Sequence, residues 1–173
     1  MSTSGYDRTS IIFHWIAAAL VISLFLTHEG ERGSFAYAFH VAVGFIGGIF
    51  LIWRVVRRLK RGMTDKPAQP AILNLASQIV IWGFLVNMVV VTVTGVLVIW
   101  SLGQPIGIFD LFSIPSPFSA SRPFHGLMEE VHEVSGQLFV PLVILHVVGA
   151  LKHAVIDRDG IVTRMVKPVA DGR

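Results

Sequence analysis

No cysteine occurs among the 173 residues. Disulfides, thiolate zinc sites, iron–sulfur clusters and haem attached through a Cys-x-x-Cys-His motif are thereby excluded, and any metal site must rest on histidine. Charge is scarce too. Asp, Glu, Lys and Arg make up 14% of the chain against 53% hydrophobic residues, a balance outside that of ordinary soluble domains. Mean hydropathy is +0.68. The net charge of +3 gives no reason to expect nucleic acid, because the basic residues flank apolar stretches and lack interleaved aromatics. Internal repeats and low-complexity tracts are absent as well.

What is present is four long apolar stretches, near residues 10–28, 35–57, 73–101 and 127–156. At 1.5 Å per residue each can cross a hydrocarbon core of roughly 30 Å. They are too long and too continuously apolar for barrel strands, so backbone satisfaction in lipid requires helices. The first is not a cleavable signal peptide: it lacks a basic leader and ends in Thr27-His28-Glu29-Gly30, without a small-x-small site. The expected fold is all-α: one integral membrane domain over residues 1–173, a four-helix bundle running up-down-up-down.

Basic residues set the expected orientation. Arg54, Arg57, Arg58, Lys60, Arg61 and Lys66 follow the second span, and Lys152, Arg158, Arg164, Lys167 and Arg173 follow the fourth. The opposite side carries only Arg32 and Arg122. The positive-inside rule then puts both termini in the cytoplasm, with residues 62–72, including Pro67 and Pro70, as the cytoplasmic turn. Residues 102–126, with Phe109, Phe112, Phe118 and Phe124, form an outer connection that grazes the interface. On this reading His125 is a surface or interface residue in that connection, and Glu129, Glu130 and Glu133 complement the dipole at the start of the fourth helix.

Seven histidines carry the chemistry. An ionisable group inside a membrane span is costly, which makes it a candidate functional residue. His132 and His146 are 14 residues apart, nearly four helical turns, so they share one face about 21 Å apart. His153 continues that face about 10 Å further along. Two imidazoles at different depths on one helix suit two stacked haems, each needing a second imidazole from a facing helix. His40 at the outer end of the second span matches His132, and His14 near the inner end of the first matches His146. Two alternatives stay open. His28 shares a helix face with His14 and competes with His40, and His153 competes with His146 as the partner of His14. Gly44, Gly47 and Gly48, with Gly136 and Gly149, offer surfaces small enough for a macrocycle to lie against backbone.

These residues resemble the bacterial cytochrome b561 family, small four-helix, di-haem, quinone-linked membrane cytochromes. The resemblance runs over nearly the whole chain. It rests on Tyr6-Asp7-Arg8 with Phe13-His14-Trp15, on Phe39-His40-Val41 with Gly44 and Arg54, on His132-Glu133, Leu145-His146 and His153, and on Arg164-Met165. It implies that His14, His40, His132 and His146 are the iron ligands of two haem b groups. It also implies that His153 lies near a cytoplasmic haem edge or quinone site, and that the protein is a multi-pass component of the bacterial inner membrane.

Some members of the family oxidise superoxide at the outer face and reduce ubiquinone. The expected function is therefore an oxidoreductase's transmembrane electron transfer from a periplasmic donor to membrane quinone, surrounded by lipid. Arg54 and Arg57 anchor the positive side and are also candidates to contact a haem propionate or a quinone oxygen. Trp15, Trp53, Trp82 and Trp100 read as packing and interfacial residues. The outer loops set Arg32 and Arg122 against Glu29, Glu31, Asp110, Glu129, Glu130 and Glu133, a poor funnel for an anion such as superoxide. Two other classes remain. One is an electron-carrier subunit anchoring a periplasmic dehydrogenase or cytochrome, and the other is a haem-free bundle moving protons or metal ions.

Overall fold

A computed structural model describes residues 7–61 and 69–167. The expected inner turn falls largely on residues 62–68, outside the described residues, as do Tyr6, Lys66 and Arg173. Four long helices dominate: α1 (Arg8–Leu26), α2 (Phe35–Arg61), α3 (Ala71–Trp100) and α4 (Arg122–Leu151). A π-helical turn, Lys152–Asp157, prolongs α4, and a 3-10 turn, Thr163–Met165, follows. A small antiparallel hairpin, β1 (Ile106–Ile108) and β2 (Phe112–Ile114), lies between α3 and α4, with Ile106 opposite Ile114 and Ile108 opposite Phe112.

Helix starts follow local chemistry. The Asp7 carboxylate accepts from the Ser10 N–H at 3.2 Å, capping α1. Its other oxygen pairs with Arg57 of α2 at 3.3 Å, so one side chain both starts a helix and ties it to its neighbour. Ser34 accepts from the Tyr37 N–H at 3.1 Å at the start of α2. Gly30 makes the tight turn before it possible: a Cβ there would sit 2.5 Å from the Tyr37 backbone nitrogen. Pro123 occupies the first turn of α4, where its missing N–H has no helical partner to lose.

All four helices are long and apolar enough to cross a membrane. Their apolar residues point largely outward. Leu26, Ile49 and Ile72 are 76%, 64% and 69% exposed, which water would not tolerate over so many residues but lipid does. The protein is a multi-pass membrane protein. Contacts at matched depths make neighbouring helices antiparallel: His40 meets Leu24, Arg54 meets His14, Asn87 meets Ser135 and Thr94 meets His132.

Ala17, Leu51, Val55, Leu85, Met88 and Phe139 form the mid-bundle core. Ala42, Ile106 and Ile108 form a second cluster at the hairpin end. Inside lipid, apolar contact between helices brings little transfer energy, so small residues and polar ties do much of the joining. Gly48 lies against Thr92, where a Cβ would come within 2.6 Å of the methyl. Buried Asn87 donates to the Ser135 carbonyl at 2.8 Å.

Three expectations need correction. The outer connection is partly ordered as the hairpin, because Ile106 and Ile108 alternate inward onto α2 and α3. Helix α4 begins at Arg122, so His125 sits in its first turn rather than in a surface loop. Its side chain is only 16% exposed, and its Nδ1 lies 3.0 Å from the Val98 carbonyl and 3.2 Å from the Ser101 hydroxyl. For the same reason Glu129, Glu130 and Glu133 lie well past the first turn, where the dipole effect has faded. Glu133 instead accepts from Gln137.

Candidate functional site

Four histidines meet in pairs across the bundle. His40 of α2 faces His132 of α4 with ring centroids 6.2 Å apart and planes at 86°. His14 of α1 faces His146 of α4 at 6.1 Å and 58°. His28 joins neither pair. It lies beyond the end of α1, stacked 5.0 Å from the Phe25 ring, with Nδ1 against the Phe25 carbonyl and its other nitrogen 3.9 Å from Glu29.

The separations can be compared with chemistry. An imidazole–metal bond of about 2 Å, with roughly 1.1 Å from ring centre to nitrogen, spaces two rings on opposite sides of one iron by about 6.2 Å. Both pairs have that spacing. Gly136 and Gly149 on α4 face open space: beyond their own helix and chain neighbours, nothing lies within 4 Å of an added Cβ. Gly44 and Gly47 are used differently: they pack against Leu24 and Leu20 of α1.

The pairs differ in what holds each ring. His40 Nδ1 lies 2.9 Å from the Leu24 carbonyl at the end of α1. His132 Nδ1 lies 2.9 Å from the Val91 carbonyl of α3. A carbonyl only accepts, so both Nδ1 atoms carry hydrogen and both Nε2 atoms keep a lone pair, the form that ligates a metal. At the other end Arg54 donates to His14 Nδ1 at 3.0 Å. A guanidinium only donates, so this contact must open before His14 can bind metal through Nε2. The inner pair fits by spacing, and its fit in detail requires Arg54 to turn to another acceptor. His146 is flanked by the Phe84 ring at 5.6 Å, edge to face.

Arg57 is held elsewhere. It pairs with Asp7 and lies 5.4 Å and 5.5 Å from the Phe13 and Trp53 ring centres. Trp15 donates its indole N–H to the Met165 carbonyl at 3.0 Å, fastening the turn Thr163–Met165 to α1. Lys152 and His153 engage a separate acidic group: Lys152 pairs with Asp157, and His153 Nδ1 lies 2.7 Å from Asp159 and 3.1 Å from Asp157. Its slight burial works the other way, but the Ile161 N–H and the His153 imidazole hold the Asp159 carboxyl below the usual carboxylate range. The basic end therefore holds two groups, one around His14, Arg54 and His146 and one around His153.

Reasoning from sequence missed the contribution of α3, which has no histidine. Val91, Thr94 and Gly95 line the His132 ring. An apolar segment with one glycine gives no signal of this; it emerges only from which α3 face meets α4.

A sequence profile of prokaryotic cytochrome b561 matches residues 5–168. Cytochrome b561 homolog 2 of Escherichia coli (strain K12) is 24% identical over 170 residues, an alignment covering 93% of this chain and 90% of that protein.

Proposed function

The chain belongs to the prokaryotic cytochrome b561 family, and from that premise we infer that it carries two b-type haems through which electrons cross the membrane. The observation that supports this best is the equal spacing of the two imidazole pairs at separate depths. On this reading His40 and His132 hold the outer haem, and His14 and His146 the inner one. Haem b supplies reversible one-electron chemistry when bound. The chain supplies the rest. The Leu24 and Val91 carbonyls fix the tautomers of the outer ligands. Arg54, once off His14, is placed to pair with a propionate. The exposed apolar surfaces seat the bundle in the bacterial inner membrane, and the basic residues keep both termini cytoplasmic.

The donor enters at the hairpin end and membrane quinone, ubiquinone being the expected one, leaves reduced at the basic end. Quinone docks at the cytoplasmic end of the bundle, where Arg54 and Arg57 offer hydrogen-bond donors and His153 an imidazole. Oxidation of superoxide at the outer face would make the protein a superoxide:quinone oxidoreductase. The outer acidic residues favour a protein donor instead, through which the chain acts as the membrane carrier of a periplasmic dehydrogenase or cytochrome.

The test is spectroscopic. Purified protein reduced with dithionite should show the absorption bands of low-spin haem b, with about two haems per chain by pyridine haemochrome. A colourless protein overturns the reading and supports the proton or metal transporter; one haem per chain overturns the pairing.

A further inference from the structure

We propose that Gly95 and Thr94 of α3 are positioning residues for His132, so that the helix without a histidine sets the geometry of the outer site. The inference rests on the two-haem reading above and adds residues to it.

Three contacts converge on one ring. The Val91 carbonyl receives the Nδ1–H of His132 at 2.9 Å. Thr94 Oγ1 lies 3.3 Å from the same nitrogen. The Thr94 hydroxyl gives its hydrogen to the Val90 carbonyl at 2.7 Å, which leaves its oxygen to share the His132 N–H. Gly95 then lies against the ring edge: an added Cβ would come 2.8 Å from Cε1, 3.3 Å from Nδ1 and 3.7 Å from Nε2. Carbon atoms attract best at about 3.5–4.0 Å, so any side chain here displaces the imidazole.

Where the ring can go is limited. Its Nδ1 is tied to α3, and its centroid stands 6.2 Å from that of His40. Moving away from a Cβ at position 95 means either giving up the Val91 carbonyl or turning Nε2 off the line toward His40. Gly83, three turns earlier on α3, differs in kind. A Cβ there meets Leu142 Cδ2 at 2.9 Å, the far end of a flexible side chain, and no imidazole.

Gly95→Ala, Thr94→Val and Gly83→Ala should be purified with haem and compared by electron paramagnetic resonance and redox titration, with His40→Ala identifying the outer signal. In Gly95→Ala the outer low-spin signal should shift or turn high-spin, with the inner signal unchanged. Thr94→Val should shift the outer signal less and keep full haem content. Gly83→Ala should move neither. A Gly95→Ala protein with both signals unchanged, or with both changed alike, overturns the inference, as does Gly83→Ala reproducing its effect. Should Gly95→Ala fail to accumulate, Thr94→Val decides: an unmoved outer signal overturns the proposal. Wild-type protein without haem overturns this inference together with the reading beneath it. Two-haem wild-type protein whose outer signal is indifferent to both Gly95→Ala and Thr94→Val overturns this inference alone.

Discussion

Replacing His40 by alanine separates a local site from global structure. The variant loses the Nδ1–H bond to Leu24, a contact of about 0.5–1.5 kcal/mol net. The low end applies, because the Leu24 carbonyl still accepts from the Thr27 N–H and hydroxyl, each at 3.3 Å. Against a fold stability of about 5–15 kcal/mol, the bundle survives. The outer site does not, since His132 is left as the one protein ligand there. The inner pair lies about 21 Å along α4, beyond the range at which substitutions usually couple. Haem content should fall from about two per chain towards one, or the outer haem should turn high-spin, and the low-spin amplitude should drop by about half. Added imidazole should restore it by filling the space of the lost ring. The assay is the reduced-minus-oxidised spectrum per mole of protein, with His28→Ala in parallel. Unchanged low-spin amplitude in His40→Ala, or its loss in His28→Ala instead, would refute the pairing.

Asp7→Ala removes a helix cap worth about 1 kcal/mol and a partly exposed ion pair worth up to about 1 kcal/mol; the midpoint of thermal unfolding in detergent should fall, and Asp7→Asn, which keeps the cap, should fall less. Asn87→Leu loses the bond to Ser135, and interhelical polar contacts in membranes average about 0.6 kcal/mol and reach about 1.7. A loss above about 3 kcal/mol in detergent unfolding would show that Asn87 does more than join α3 to α4. His153→Ala should keep both haem spectra and slow haem reoxidation by added ubiquinone. Unchanged reoxidation would limit His153 to its carboxylate partners, and loss of the inner haem would make it a ligand.

The bundle and the histidine pairs were legible because both depend on periodicity. Apolar runs of membrane length admit one backbone solution, and a spacing of 14 residues fixes His132 and His146 to one face whatever the helix packs against. Direction along each span then matched them with His40 and His14. The start of α4 is obscured in the sequence because Pro123 looks like a loop residue, whereas a proline two residues after a serine equally marks a first helical turn. The hairpin was also present in outline, since Ile106, Ile108, Phe112 and Ile114 alternate with other residues as strands do. Nothing in the sequence could assign Arg54 to His14 or Gly95 to His132, because those contacts depend on how far each helix is rotated about its axis.

Both imidazole pairs draw one member from α4, the last of the four long helices in chain order. During synthesis at about 5–20 residues per second, the partner of His40 emerges roughly 5 to 18 s after it, and that of His14 later still. Until then three helices wait in the membrane with half of each site. The Trp15 bond to the Met165 carbonyl joins the first helix to the turn that follows α4. Completion of both sites thus waits for synthesis of α4, and a chain cut short before α4 has neither site whole.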